Sequence, residues 1–337
     1  QKKLNRCSTI TIDRTKYSTP KNVGLGYTSI YGVRVEDTQI SLNAPDVIQI
    51  QAVYESSNTS APTVPWIALT GIESPSSTTT DLILGELVVG ETSGAVAVYA
   101  EQRGSTQIYL IYKTQQTFQV SETVRFKESD ISAVVGVVEF GDKNILDEFT
   151  LDNGQRKQYY DYSRIVRKLS SKEPFGRLKV YFDYFSFEPS DSGDLISVNS
   201  YPNFIYGKSI PTYDRIRNTD TIDIRPRVGG YAIETKLSPF DFTSRSFNSS
   251  GNNSSQILAS GESIIFDYDF YLPRTDKLIL DREGNFNIVF GDPSETPIPP
   301  AVSAETLEVA TIISSPYVYD INSGNEVVVV LKDNKRY

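Results

Sequence analysis

Hydrophobic and polar positions alternate along much of this chain. In the run 177–185, Leu178, Val180, Phe182 and Tyr184 share one side, and Arg177, Lys179, Tyr181 and Asp183 share the other. A period of two is the mark of a half-buried strand. The run before it reads two ways. Tyr160, Tyr162, Arg164 and Val166 alternate, whereas Tyr159, Tyr162, Ile165, Val166 and Leu169 fit a helical stripe. Its aromatic and β-branched content favours a short helical turn near 154–158 followed by a strand. With Pro174 and Gly176 between them, the two runs are expected to form a long hairpin joined at 170–176.

The same reading predicts short strands at 8–12, 30–36, 47–55 and 66–70, and a Ser/Thr-rich linker at 73–80 with no means of burying itself. Between 82 and 139 the chain echoes itself. Leu84-Gly85-Glu86-Leu87-Val88-Val89 precedes Ser93-Gly94-Ala95-Val96-Ala97-Val98, and Val120-Ser121-Glu122-Thr123-Val124-Arg125 precedes Ser132-Ala133-Val134-Val135-Gly136-Val137. Each half reads as two strands around a polar turn, with 108–112 between the halves.

Further on, 188–228 is loop-rich and 231–237 and 264–272 read as strands. The Ser/Asn-rich run 240–256 reads as a mobile loop or a contact ordered on assembly. A hairpin is expected from 277–280 and 285–290 around Asp281-Arg282-Glu283-Gly284. The proline-rich 293–300 is expected to be extended, either a stiff spacer or a segment lying along a groove. The last strands are 307–313 and 326–331, and the unbroken apolar run 327–330 is expected to be buried on both faces. The expected fold class is all-β. It consists of several small β-sandwich or barrel-like modules joined by Pro/Gly/Ser-rich loops and divided at 1–71, 72–143, 144–240 and 241–337.

Some of these strings carry a resemblance. Asp152-Asn153-Gly154-Gln155-Arg156, Tyr159-Tyr160-Asp161-Tyr162 and the run 180–185 are among them. So are Ser41-Leu42-Asn43-Ala44-Pro45-Asp46-Val47, Arg225-Pro226-Arg227-Val228 and Tyr271-Leu272-Pro273-Arg274-Thr275-Asp276. Together they are similar to a domain of the very large tail or baseplate structural proteins of contractile-tailed phages that infect cyanobacteria. The likeness covers most of the chain but not 56–81 or 241–256. It implies a virion location in the tail, assembly in the host cytoplasm and a part built for contact rather than reaction.

Composition narrows the chemistry. Of 337 residues, 33 are Lys or Arg and 42 are Asp or Glu, a net charge of −9, which disfavours a nucleic-acid partner. No stretch approaches the ~20 apolar residues of a membrane-spanning helix. Cys7 is the only cysteine and implies no oxidising compartment. There is no Met, and the chain begins with Gln1. It is therefore expected to be an internal piece of a longer polypeptide.

With no His in the chain, Ser-His-Asp and Cys-His catalysis and Cys/His zinc sites are excluded. Ser93 lacks the Gly-x-Ser-x-Gly pattern and reads as a turn residue. Paired acids remain: Asp161 with Asp183, Asp220 with Asp223, and Asp267 with Asp269. These could serve glycan hydrolysis or bind Ca²⁺, but solvated faces and ion pairs with Arg164, Arg225 and Arg227 account for them as well.

The expectation is a structural, non-enzymatic tail component without a cofactor. Its partners would be other tail or baseplate proteins and further copies of itself in a symmetric assembly. The candidate interface residues are Tyr159, Tyr160, Tyr162, Arg164, Tyr181, Tyr184 and Phe185. A carbohydrate-binding adhesin module that touches host-surface glycan is the alternative, with the aromatics as stacking platforms. A carboxylate-dependent glycan hydrolase module is the second.

Overall fold

The computed structural model describes residues 2–14, 32–187, 200–201, 210–214, 216–230, 238–247, 270–318 and 326–332, with single positions at 261, 263, 265, 267 and 321. The chain divides into two compact units. One is made of 2–194 and 225–257, the other of 195–224 and 258–337 with Gln1. Both are built from strands, as the alternating pattern requires.

The first unit begins with β1 (Lys2–Ile12), β2 (Gln39–Pro45) and β3 (Val47–Glu55). Six strands follow: β4 (Trp66–Thr70), β5 (Leu87–Gly90), β6 (Val96–Gln102), β7 (Gln107–Tyr112), β8 (Thr123–Phe126) and β9 (Ser132–Glu139). The chain then returns through β10 (Lys143–Asn144), β11 (Phe149–Asp152), β12 (Tyr162–Arg167) and β13 (Leu178–Phe187). Two sheets result, in the orders β1-β13-β3-β10 and β11-β12-β2. Their facing sides enclose one core, in which Val47, Val53, Leu178, Val180 and Phe182 meet Ile40, Leu42, Phe149 and Ile165.

β12 and β13 do not pair with each other. β12 lies between β11 and β2, and β13 lies between β1 and β3. The expected hairpin at 170–176 is thus a crossover between two sheets. The reason is burial: each run has an apolar side to cover, and placing the runs in opposite sheets lets both sides share one core. β13 is also not half-buried. Leu178, Val180 and Phe182 enter the sandwich core, while Tyr181 packs on the other side with Ala52, Tyr54, Val98 and Ile111.

That second side is covered by β4 to β9, which close into a barrel in the order β4-β7-β6-β5-β8-β9. Closure leaves no open strand edge. Ile67, Leu69, Val88, Ala97, Leu110, Phe126 and Val135 fill its interior. The barrel starts at Trp66 and draws on residues either side of the expected boundary at 71. The boundary between 143 and 144 likewise falls inside β10, and strands from both sides of it share sheets. Segmentation by loop composition missed this because sheet partners come from distant parts of the chain.

The two halves that echo each other have matching hydrogen bonds 36 positions apart, as in Glu86 and Glu122. Gly85 and Ser121 both have positive φ, 82° and 71°, and their amides donate to the Tyr99 and Val135 carbonyls. Gly94 and Asp130 also share positive φ, 66° and 55°.

Two local expectations fail. Residues 32–38 form turns with one bridge, Asp13 to Arg34, rather than a strand. The cause is Asp37, whose carboxylate accepts the Gly32, Val33 and Arg34 amides and folds the segment on itself. Thr79, in the supposed linker, is buried and its hydroxyl donates to the Gly104 carbonyl.

The second unit holds a small hairpin, β14 (Thr212–Tyr213) with β15 (Ile216–Arg217), and a four-stranded antiparallel sheet. The sheet comprises β16 (Arg274–Leu280), β17 (Phe286–Val289), β18 (Leu307–Ser314) and β19 (Val327–Leu331), in the order β17-β16-β18-β19. The hairpin expected around Asp281 is β16 and β17. Gly284 supplies φ 89° at its turn, and the Asp281 carboxylate accepts the Glu283 and Asn285 amides. The expected strand 231–237 and the run 248–256 lie outside the described residues. So do Ile264, Phe266, Tyr268 and Asp269 of the strand expected at 264–272, while 270–272 have no regular structure.

Candidate functional site

Most of the expected interface residues are interior. Tyr160, Tyr162, Tyr181 and Phe185 are fully buried and Arg164 is nearly so, while Tyr159 and Tyr184 are half-buried. They fall into separate clusters.

The first cluster surrounds Asp46. Its carboxylate receives Lys2 Nζ at 2.7 Å, an Arg227 guanidinium nitrogen at 2.9 Å and Gln155 Nε2 at 3.2 Å. The Tyr160 ring is flanked by Lys2, Arg225 and Arg227 at 5.1, 4.5 and 5.1 Å from its centroid. Arg227 also donates to the Phe185 carbonyl at 2.6 Å. Burial raises the Asp46 pKa, but the charges and hydrogen bonds of Lys2 and Arg227 outweigh it and leave the carboxyl below its ordinary value.

The second cluster surrounds Asp161, which takes Arg245 at 2.6 Å and Arg164 at 3.2 Å. Arg164 stacks 3.8 Å from the Phe240 centroid, and Arg245 lies 5.6 Å from the Tyr159 centroid. Tyr162 donates its hydroxyl to the Gly229 carbonyl at 2.5 Å. Tyr181 donates to Glu101 at 3.1 Å and meets Tyr54 edge-on. Tyr and Arg are enriched at contacts between chains, but the same pair serves a buried cation–π network, and here they form one.

Asp161 and Asp183 do not converge on one site. Asp161, just before β12, and Asp183, on β13, belong to different networks. Asp183 accepts the Cys7 amide at 2.7 Å and Gln51 Nε2 at 2.5 Å. Burial raises its pKa above the ordinary value. Asp220 pairs with Arg217 at 3.2 Å, Asp223 is buried, and Asp269 lies outside the described residues. Among the described residues no three Cys, Asp or Glu side chains gather as a metal site, and no helix is long and apolar enough to cross a membrane.

The stacking platform is equally constrained. Trp66, the only tryptophan, is covered by the Arg103 guanidinium 3.7 Å from its ring. Among the described residues the most exposed aromatics are Phe140, Phe175, Phe242, Phe286 and Phe290, each at least 60% exposed, and Tyr271, half exposed, meets Tyr317 edge-on. Phe has no polar atom to orient a sugar hydroxyl.

What the chain does present is apolar sheet. In the second unit Phe286, Ile288, Val328, Val329, Val330 and Leu331 are exposed, and they occupy the two outer strands, β17 and β19. The run 327–330 is therefore an edge strand rather than one buried on both faces. The aliphatic sequence asks for cover that the described residues do not supply.

Sequence reasoning passed over two features. Lys2, Asp46, Arg227 and Arg245 sit far apart in sequence, and no local signal joins them. Glu86 and Glu122 were visible in the echoing halves: each is buried and gathers three backbone amides and one hydroxyl.

No curated protein and no solved structure matches the chain. A family model described as a domain of unknown function (DUF4815) matches residues 230–333, the stretch that carries β16 to β19.

Proposed function

We propose that this chain is a contact-making structural part of a phage tail, at the baseplate or a tail appendage, held in place by protein–protein interfaces. The observation that carries this reading is the uncovered apolar edge of the four-stranded sheet. Val329, Val330 and Leu331 are 56%, 50% and 75% exposed on β19. An aliphatic edge strand left in water is a template for association, so its natural state is one with a partner on it. The likeness of the strings at 41–47, 152–162, 225–228 and 271–276 to tail structural proteins gives that partner a setting.

The alternatives have less to stand on. A glycan-binding role needs open Trp or Tyr faces, and Trp66 carries an arginine while the most exposed rings among the described residues are Phe. A two-acid hydrolase needs carboxylates across a cleft, and Asp161 and Asp183 are each held by their own network.

The test is immunogold labelling of purified tailed particles from an infection in which this chain is expressed, with mass spectrometry of the same particles. Label confined to the tail is the expected result. Particles free of the chain would overturn the proposal.

A further inference from the structure

We infer that the outer edge of β19 is a two-fold contact, through which two copies of this chain join their four-stranded sheets into one continuous antiparallel sheet. This rests on the structural reading above and adds the partner, the register and the symmetry.

The backbone groups of β19 divide between an inner and an outer side. β19 pairs with β18 so that Val327 faces Ser314, Val329 faces Ile312 and Leu331 faces Ala310. At the two ends, the Ser315 amide donates to the Glu326 carbonyl and the Lys332 amide to the Val309 carbonyl. In an antiparallel ladder a residue spends both its N–H and its C=O on the same neighbour, and successive residues alternate sides. The even-numbered positions from Glu326 to Lys332 therefore turn inward to β18. Val327, Val329 and Leu331 turn their N–H and C=O groups to the open edge, where no described strand pairs with them.

A second β19, brought up antiparallel around a two-fold axis at Val329, fits that edge. Val329 meets its own copy, and Val327 meets Leu331, so every outward donor finds an outward acceptor. The side chains match as well: Val328 lies across from Val330 on the same face.

The charges choose the register. The aliphatic run is bounded by Glu326 and Lys332. About the axis at Val329, Glu326 stands opposite Lys332 of the partner subunit, and the pair forms twice. Sliding the strands by two residues keeps the backbone phase but sets a charge against an aliphatic side chain and loses both pairs. Each end is already held within its own copy, Glu326 by Arg217 at 2.9 Å and Lys332 by Glu308 at 3.0 Å. The contact thus builds a row of alternating sign from Arg217 through Glu326 and the partner's Lys332 to the partner's Glu308.

A rival geometry stays within reach of the same test. In the order β17-β16-β18-β19 the two outer strands run antiparallel to each other, so β19 of one copy could pair head-to-tail with β17 of the next. That arrangement sets Val329 beside Ile288 and propagates instead of stopping at two. It brings Glu326 and Lys332 against Gly291 and Asn285, with no charge to match.

The experiment uses cysteine variants of the full chain, with the unsubstituted chain as control because Cys7 is buried. At the two-fold centre the Val329 Cα atoms would lie about 5.5 Å apart, within disulfide and short-crosslinker range. Val329→Cys is expected to give a covalent dimer and nothing larger. The double variant Val328→Cys with Val330→Cys, a closer pair at about 4.5 Å, is expected to do the same and covers any failure of the first to fold. Val328→Cys alone should link poorly. A ladder of higher species from Val329→Cys with Ile288→Cys, while Val329→Cys alone stays monomeric, would overturn the two-fold contact. So would the absence of any crosslink from correctly folded variants. In either case tail labelling of particles is unaffected, so the structural reading and the two-fold contact fail separately.

Discussion

Glu86 and Glu122 hold equivalent places in the two halves of the barrel, and each closes the turn that belongs to the other half. Glu86 accepts the amides of Glu128 and Ser129 at 3.0 and 2.9 Å, and Glu122 accepts those of Thr92 and Ser93 at 3.3 and 3.0 Å. Each also takes the amide three residues before it, Ile83 or Gln119. A side chain that satisfies this many buried donors cannot be truncated without orphaning them. Glu86→Ala and Glu122→Ala should each lose about 2–4 kcal/mol of unfolding free energy. The symmetry makes a sharper demand, that the two losses agree to within about 1 kcal/mol. Urea denaturation of both variants reads this, and one large loss beside one negligible loss would refute the equivalence.

Asp46 carries two buried cations, so its neutralisation is predicted to be worse than its size suggests. Asp46→Asn removes the carboxylate that Lys2 and Arg227 share, at a cost of about 3–5 kcal/mol. Lys2→Met should cost less, because Arg227 still faces the carboxylate. Denaturant midpoints of the two variants give the order, and an equal or reversed order would show that the cluster is not centred on Asp46.

Acid should act on the first unit in two stages of opposite sign. Asp183 has a raised pKa in the folded chain, from burial first, so its ionised form is a burden at neutral pH. That burden lifts as pH falls through the folded value and is gone by the ordinary value near 3.9. Asp46 has a lowered pKa, so its contribution is complete above about pH 3.9 and is lost as pH falls through its folded value. Stability should therefore rise on mild acidification and drop below about pH 4. Asp183→Asn should flatten the rise and leave the drop. A denaturation series across pH that shows the rise intact in this variant would assign it elsewhere.

Cys7 should be silent in the folded chain. It is buried at a bulge in β1, and burial, with help from Asp183, pushes its thiol up to about 12. At pH 8 a thiol reagent should label it only as fast as the unit opens, and labelling should become immediate in denaturant. Rapid labelling under native conditions would place Cys7 at a surface.

The sides of the strands were legible in the sequence and their neighbours were not. Leu178, Val180 and Phe182 announced an inner face, and they have one. Nothing near them announced that β1 and β3, more than a hundred residues earlier, would flank them instead of β12. Pairing is settled by which apolar sides can share a core, which is a property of the whole chain. The tyrosines misled for a related reason: Tyr160 and Tyr181 have the composition of a contact surface, but the cations around them are supplied by the same chain. Val327 to Val330 were read as needing burial on both faces. That need is real, and only its supplier lay beyond what local sequence can name. The barrel halves were the most legible feature, because Glu86 and Glu122 each stand two residues before a buried valine, Val88 or Val124.

Trp66 on β4 pairs with Glu139 on β9, and further out along the same two segments Glu55 meets Lys143. The path of the chain into the barrel and its path out therefore run side by side, along a single seam. Cut there and rejoined with a short turn, the rest of the unit would keep every strand connection it now has. The packing would not forgive it, since Ala52, Tyr54 and Tyr181 would be stripped of Val98, Ala100 and Ile111. In its wiring the barrel is a cassette; in its contacts it is the floor on which the neighbouring sheet is laid.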